Sequence, residues 1–117
     1  MDFNIIKKKG HSVVKVLNGK LDTNNAPALK SELVLLGNED EKNIILDLSQ
    51  CSYVDSSGLS AILVANRLCE DAIGTFILCG LQPGVEELIH LSMLHTVLLI
   101  TKTVEEAEQL LEQKGKL

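Results

Sequence analysis

The sequence predicts an α/β domain with a mixed, mostly parallel sheet of about five strands and about four helices, in the order β-β-α-β-α-β-α-β-α. Short runs rich in Ile, Leu and Val alternate with longer segments of helical periodicity, the pattern of β-α-β units with right-handed crossovers. The length of 117 residues suits one domain over residues 1–117. Apolar residues make up 45% of the chain but aromatic residues only 3%, so we expect an aliphatic core.

The N-terminal third predicts two antiparallel strands and a helix. Residues 3–8 and 12–17 are rich in β-branched side chains and are separated by a turn at Gly10. An early proline and a stripe of leucines predict a helix over residues 26–36. Gly37 and Asn38 are the residues best suited to end that helix in the left-handed conformation.

The rest of the chain continues the alternation. Apolar runs predict strands at residues 43–48, 75–79 and 97–100. We expect helices over about residues 57–71, after Pro83, and at the end of the chain. Thr103 and Glu106 have the spacing of a capping box, in which each side chain bonds the other's backbone amide.

Charge and cysteine content narrow the classes of function. A net charge of -5 repels phosphate backbones and anionic lipid surfaces, so we expect no direct nucleic acid partner and no membrane partner. The basic run at residues 7–9 is expected to be a solvated strand edge. Three widely spaced cysteines match neither zinc-ligand nor redox spacing, so we expect buried, reduced thiols, no metal and no cofactor. Without an apolar signal core or a membrane-spanning run, the chain is expected to be soluble and cytoplasmic.

A polar cluster between two apolar segments is the candidate functional site: Asp55, Ser56, Ser57, Gly58 and Leu59. If a helix begins there, its unpaired amides and positive dipole end would favour a phosphate on Ser57. From the residues alone, Ser57 as a plain N-cap is the commoner role. Asp55 could instead cap the helix or orient the serine hydroxyl. Ser56 is expected to point inward and bond the backbone.

Three neighbouring features bear on this site. Gly58 allows either close approach of another protein or tight packing of the helix. Asp22 precedes the first helix, at the sheet end where Ser57 is expected, and could belong to a partner surface or serve as a turn aspartate. The helix after Ser57 is apolar on most sides, which predicts contact with a neighbouring helix or a partner.

With its predicted strands, helices and motifs in this order along the sequence, the chain resembles the STAS domains, specifically the stand-alone bacterial anti-sigma factor antagonists. The resemblance rests on the order and spacing of five segments, at residues 19–22, 45–48, 54–59, 80–83 and 104–107. It implies a STAS fold and a binding protein that has no catalytic residue. The unphosphorylated form would bind a serine kinase of the histidine-kinase-like ATPase type, which is also the anti-sigma factor, and so release a sigma factor.

The resemblance also implies how binding ends. Ser57, the second serine of the Asp-Ser-Ser-Gly-Leu pattern, would be phosphorylated by that kinase, and a phosphatase would reset it. The implied partner-binding residues are Asp22, Asp55, Ser56, Ser57, Gly58 and Leu59. One departure is Met93, where family members often carry glycine. If the backbone is left-handed there, methionine destabilises the fold by about 1 kcal/mol relative to glycine.

Two other functions stay open. A hydrolase with Ser57 as nucleophile would need His11, His90 or His95 as its base. The sequence argues against it, because Asp55 replaces the first glycine of a nucleophile elbow and no histidine is an obvious partner. A scaffold or transporter-associated STAS subunit, whose serine is never modified, fits the same sequence.

Overall fold

A computed structural model describes residues 2–115 and confirms the predicted α/β class. The strands are β1 (Phe3–Lys8), β2 (His11–Val16), β3 (Lys20–Leu21), β4 (Ile44–Asp47), β5 (Tyr53–Val54), β6 (Phe76–Cys79) and β7 (Leu99–Thr101). The helices are α1 (Ala26–Asn38), α2 (Ser56–Asp71), α3 (Pro83–Leu91) and α4 (Val104–Gln113), with a 3-10 turn at Leu94–Thr96.

Five strands form the main sheet in the order β1-β2-β4-β6-β7. β1 is antiparallel to β2, and the other neighbours are parallel. The mixed, mostly parallel sheet is therefore confirmed. The short strands β3 and β5 form a separate parallel pair that the sequence did not predict, because two residues carry no measurable periodicity.

The main sheet is covered on both faces. On one face, residues of the central strands pack with α1, α2 and α3 in the larger apolar cluster, which includes Leu29, Ile62 and Ile89. On the other face, α4 alone closes a smaller cluster through Ala107 and Leu111. Burial on both sides explains why the central strands β4 and β6 are almost wholly apolar instead of alternating.

Several predicted boundaries were wrong. α1 continues through Gly37 and Asn38, and the left-handed residue that follows it is Asp40, with φ 65°. β2 begins and ends one residue earlier than predicted. The last strand begins at Leu99 instead of Val97, because Val97 ends the 3-10 turn that precedes the strand and is exposed.

Other expectations concern cysteines, lysines, metals and membranes. The prediction of buried, unpaired thiols is confirmed at Cys51, Cys69 and Cys79. Residues 7–9 are exposed at the sheet edge, where Lys7 contacts Glu39. No group of three or more potential metal-ligating side chains lies together within residues 2–115. The helices of this part of the chain are all too short or too polar to cross a bilayer.

Replacing Met93 with glycine should stabilise the protein by about 1 kcal/mol, because Met93 has a left-handed backbone, with φ 61° and ψ 14°, that L side chains disfavour. Its side chain is largely exposed, so little packing is lost. Urea unfolding followed by circular dichroism measures the change. The matched control is Ser92→Gly, where φ is -84° and a loss of stability is expected. A destabilised Met93→Gly protein would contradict this account.

Candidate functional site at the start of α2

The two short strands bring two loops together. Leu21 of β3 lies opposite Val54 of β5 in a parallel pair, and the Asp55 amide donates to the Leu21 carbonyl at 3.2 Å. Each strand then leads into a helix, β3 through the loop at residues 22–25 and β5 through Asp55 alone. The Asp22 loop and the start of α2 are therefore neighbours.

Asp55 is the N-cap of α2. Its backbone is extended, and its Oδ1 accepts a hydrogen bond from the Gly58 amide at 3.0 Å. Its Oδ2 accepts from the Thr23 amide at 3.3 Å, so one carboxylate ties the helix start to the neighbouring loop. The helix begins at Ser56, and the interpretation of Ser57 as an N-cap is wrong. Asp55, three residues before Gly58, takes that role.

The two serines lie in the first turn of α2. Ser56 is exposed, so the expectation that it points inward is wrong, and Ser57 is half-buried. Within residues 2–115 the Ser57 hydroxyl has no hydrogen-bond partner. The Asp55 carboxylate accepts from the Gly58 amide, and the Asp55 carbonyl accepts from the Leu59 amide. The amides of Ser56 and Ser57 therefore remain as the unpaired donors that a helix start provides. A free hydroxyl thus stands beside two free amides at the positive end of the dipole.

Gly58 is buried because the helix packs directly on the β3 backbone. A Cβ atom built on Gly58 would lie 2.4 Å from the Leu21 carbonyl oxygen and 2.7 Å from Cγ1 of Val54. Of the two interpretations of this glycine, tight packing is the one that the structure supports. Leu59 beside it is half-buried and packs against the main core.

Asp22 shapes the neighbouring loop. Its Oδ1 accepts from the Asn24 amide at 2.9 Å, and its carbonyl accepts from the amides of Asn25 and Ala26. It is therefore a turn aspartate, and it is also half-buried beside the site. The sequence predicted these two possibilities as alternatives, and the geometry is compatible with both together.

α2 meets a neighbouring helix, as its apolar sequence predicted. It packs against α1 and the sheet through Ala61, Ile62 and Ala65. Its solvent side is a continuous stripe that begins at the serines: Ser56, Ser60, Leu63, Arg67 and Glu70. A protein that contacts Ser57 can therefore extend its contact along this stripe.

The histidines lie away from Ser57. Ser57 follows the carboxyl ends of the parallel strands, whereas His11 begins β2, opposite the start of β4. His11 Nε2 is 2.7 Å from a Glu108 carboxylate oxygen. His90 and His95 stack on each other near the start of β7, with ring centroids 4.2 Å apart. The nucleophile and base of the hydrolase alternative are thus at opposite ends of the sheet.

Replacing Asp55 with alanine should destabilise the protein by about 1 to 2 kcal/mol, since the Gly58 and Thr23 amides lose their acceptor. Asp55→Asn retains one acceptor oxygen and an N-cap residue of similar preference, so its loss should be smaller. Chemical unfolding of both variants measures the difference. Equal stability of the alanine variant and the original protein would contradict the capping assignment.

The fold and the candidate site together define a class: a small α/β domain that presents a capped helix start with a free serine hydroxyl. The model of the STAS domain family matches residues 3–107, and the chain belongs to this family. The fold that the sequence resemblance implied is thereby confirmed.

Relatives within the family support the same placement. The chain is 30% identical over 80 residues to a Bordetella bronchiseptica protein that carries the name anti-sigma factor antagonist BtrV, covering 68% of this chain and 69% of that one. A Thermotoga maritima structure described as an anti-sigma factor antagonist has a TM-score of 0.82 at 26% identity and 92% coverage of both chains. The phosphorylated form of the Bacillus protein SpoIIAA shares the fold, with a TM-score of 0.72 at 24% identity over 92% of this chain and 96% of that one.

Proposed function

We propose that this protein is a cytoplasmic anti-sigma factor antagonist that is switched by phosphorylation of Ser57. In its unphosphorylated form it binds an anti-sigma factor and so releases a sigma factor. The observation that carries the proposal is the free Ser57 hydroxyl beside two unpaired amides at the start of α2. The names of the relatives, BtrV among them, support the choice of partner class.

The partner is a serine kinase of the histidine-kinase-like ATPase type that also acts as the anti-sigma factor, and a phosphatase restores the original state. The partner contacts Ser56, Ser57 and Leu59 together with the Asp22 loop, which Asp55 holds against the helix. Gly58 keeps these two segments in contact. The chain supplies a surface and the phosphate acceptor, and the kinase supplies the chemistry.

A phosphate on Ser57 would act locally. It adds about -1.5 to -2 charge units and three strong acceptors, and the Ser56 and Ser57 amides can bind it without a change of fold. The Asp55 carboxylate lies two residues away and adds further negative charge. A partner that meets this surface with acidic or apolar groups would lose about 1 to 3 kcal/mol of binding, which weakens affinity about 5- to 150-fold.

The test uses the cognate kinase, ATP and intact-mass analysis. The unmodified protein should gain one phosphate, mapped to Ser57, while Ser57→Ala should bind the kinase and gain none. Ser57→Glu should bind the kinase about 5- to 150-fold more weakly than the original protein. Ser56→Ala is the matched control, since it removes the neighbouring hydroxyl and should still be phosphorylated.

Two results would overturn the proposal. Full phosphorylation of Ser57→Ala would show that the acceptor site is wrong. Recovery of a membrane transporter in place of an ATPase, in pull-downs with the native partner, would favour the alternative of a transporter-associated subunit or scaffold.

A further inference from the structure

β1 is an open edge of the main sheet. It pairs with β2 on one side, and within residues 2–115 no strand pairs with its other side. The Asp2 carbonyl accepts a hydrogen bond from the Leu17 amide at 2.7 Å. Backbone groups alternate along an antiparallel strand, so Phe3, Ile5 and Lys7 direct their amides and carbonyls outward. Three residues of β1 thus offer an unused row of three amide donors and three carbonyl acceptors.

We propose that two copies of this protein associate through β1, with the strands antiparallel about a two-fold axis at Ile5. The pairing joins the two five-stranded sheets into one. A two-fold axis perpendicular to the sheet preserves its faces, so residues that lie opposite each other must belong to the same face. Ile5 opposite its own counterpart meets this condition, and its outward backbone groups then form a closely spaced hydrogen-bonded pair.

Charge selects this register. With Ile5 opposite Ile5, Asp2 of one copy lies opposite Lys8 of the other, and the symmetry gives two such pairs. By the alternation of side chains, Asp2 and Lys8 belong to the face covered by α4. There the Lys8 ammonium lies 2.7 Å from a Glu108 carboxylate oxygen, and the Asp2 carboxylate accepts from the Asn18 side-chain amide at 3.1 Å. Directly opposite charges stabilise strand pairs and like charges destabilise them. A shift by two residues sets Asp2 opposite Gly10, and a further shift sets Lys7 opposite its own counterpart.

The lysines of β1 therefore affect the register of pairing as well as the tendency to pair. Lysine on an edge strand commonly prevents association. In this chain Lys8 has an opposite charge across from it in the proposed register, and of the three registers only the one centred on Lys7 sets like charges directly opposite each other. In the proposed register Lys7 lies opposite Phe3, where its aliphatic stem can cover the ring.

Apolar side chains of β1 and α1 lie beside the open edge, on the face of the sheet that α1 covers. Ile5 is half-buried, and Leu35 of α1 is 55% exposed. Both line a cavity of about 510 Å³ between β1 and α1, whose other lining residues are Leu36 and the charged Lys7, Glu32 and Glu39. Pairing of two edges would bring the apolar side chains of the two copies together and remove apolar surface from water, which adds a driving force to the backbone hydrogen bonds.

Sedimentation equilibrium over a concentration series tests the proposal, with a reversible dimer as the expected result. Lys7→Pro removes an outward amide that the monomer does not use, a change that edge strands tolerate. It should raise the dimer dissociation constant about tenfold or more, whereas Lys7→Ala, which keeps the amide, should raise it less. A protein that stays monomeric, or a dimer that Lys7→Pro leaves unchanged, would overturn the proposal.

Cysteine cross-linking tests the register. Ile5→Cys would place two thiols opposite each other, with Cα atoms about 5.5 Å apart, within the range of a disulfide. Ile6→Cys is the matched control, because Ile6 lies opposite Asn4 in this register. Under mild oxidation we expect a disulfide-linked dimer from Ile5→Cys and little from Ile6→Cys. The native cysteines are buried and do not compete. Equal cross-linking of both variants would exclude this register.

Discussion

Replacing Gly58 with alanine should destabilise the protein by about 3 kcal/mol, at the upper end of overpacking effects. The new Cβ atom would lie 2.4 Å from a backbone carbonyl oxygen of β3. A backbone atom cannot move aside as the end of a side chain can, so α2 and β3 must separate. The expected result is a lower midpoint in urea unfolding, together with faster exchange of the Asp55 amide, which donates to that carbonyl.

Gly37→Ala is the matched control for this variant. Gly37 is also helical, but a Cβ atom there would meet nothing within 4 Å. Alanine is the better helix former, so the control should gain about 0.5 to 1 kcal/mol. A Gly58→Ala protein as stable as the Gly37→Ala protein would contradict the close approach of α2 to β3.

Alkaline pH should destabilise the protein through its buried thiols. Burial raises the pKa of Cys69 to about 12. Burial, with smaller contributions from the negative charges of Asp47 and Glu105, also raises the pKa of Cys79 to about 12. In the unfolded chain these thiols titrate near pH 9. Between about pH 9 and 12 the folded state therefore retains protons that the unfolded state releases, and stability falls as pH rises.

Each fully contributing thiol lowers the free energy of unfolding by about 1.4 kcal/mol per pH unit in this window. Below about pH 8 neither thiol contributes a slope. Urea unfolding in reducing buffer from pH 8 to 11 measures the effect. Cys69→Ala should have a shallower slope than the original protein, and because both proteins share all their other side chains, the difference between the slopes isolates the thiol. Identical slopes would contradict the burial of a protonated Cys69.

Much of the fold was predictable because hydrophobic periodicity is a local property of the sequence. The buried strands at residues 44–47 and 76–79 are apolar except for Asp47. Thr103 caps α4 as predicted, with its hydroxyl accepting from the Glu106 amide, but the capping box is only half formed, because the Glu106 carboxylate accepts from the Lys102 amide and not from the Thr103 amide. The left-handed backbone that the resemblance suggested at Met93 is also present. Boundaries were less accurate, since helix ends and the 3-10 turn depend on contacts with distant residues.

The polar junction at residues 55–59 was predictable as the start of a helix and as a candidate site, but the structural roles of the residues within it were not. Asp, Ser and Ser in succession are all good N-caps, and the sequence cannot rank them. Which of the three residues caps α2 depends on β3, which lies more than 30 residues earlier in the chain. Its pairing with β5 fixes Asp55, whose side chain then bonds Thr23 and Gly58. Ser57 is consequently free of a capping role and keeps its hydroxyl available.

The sequence alone determined the α/β class, the order of its main elements, the aliphatic core and the residue types at the start of α2, because these follow from composition and short-range pattern. Only the tertiary structure decided that Asp55 caps the helix, that Gly58 is required by packing, that Asp22 lies beside the site and that the histidines lie away from it. Those facts depend on pairs of segments far apart in the chain. Their geometry is set by strand pairing and close packing, which no local pattern encodes.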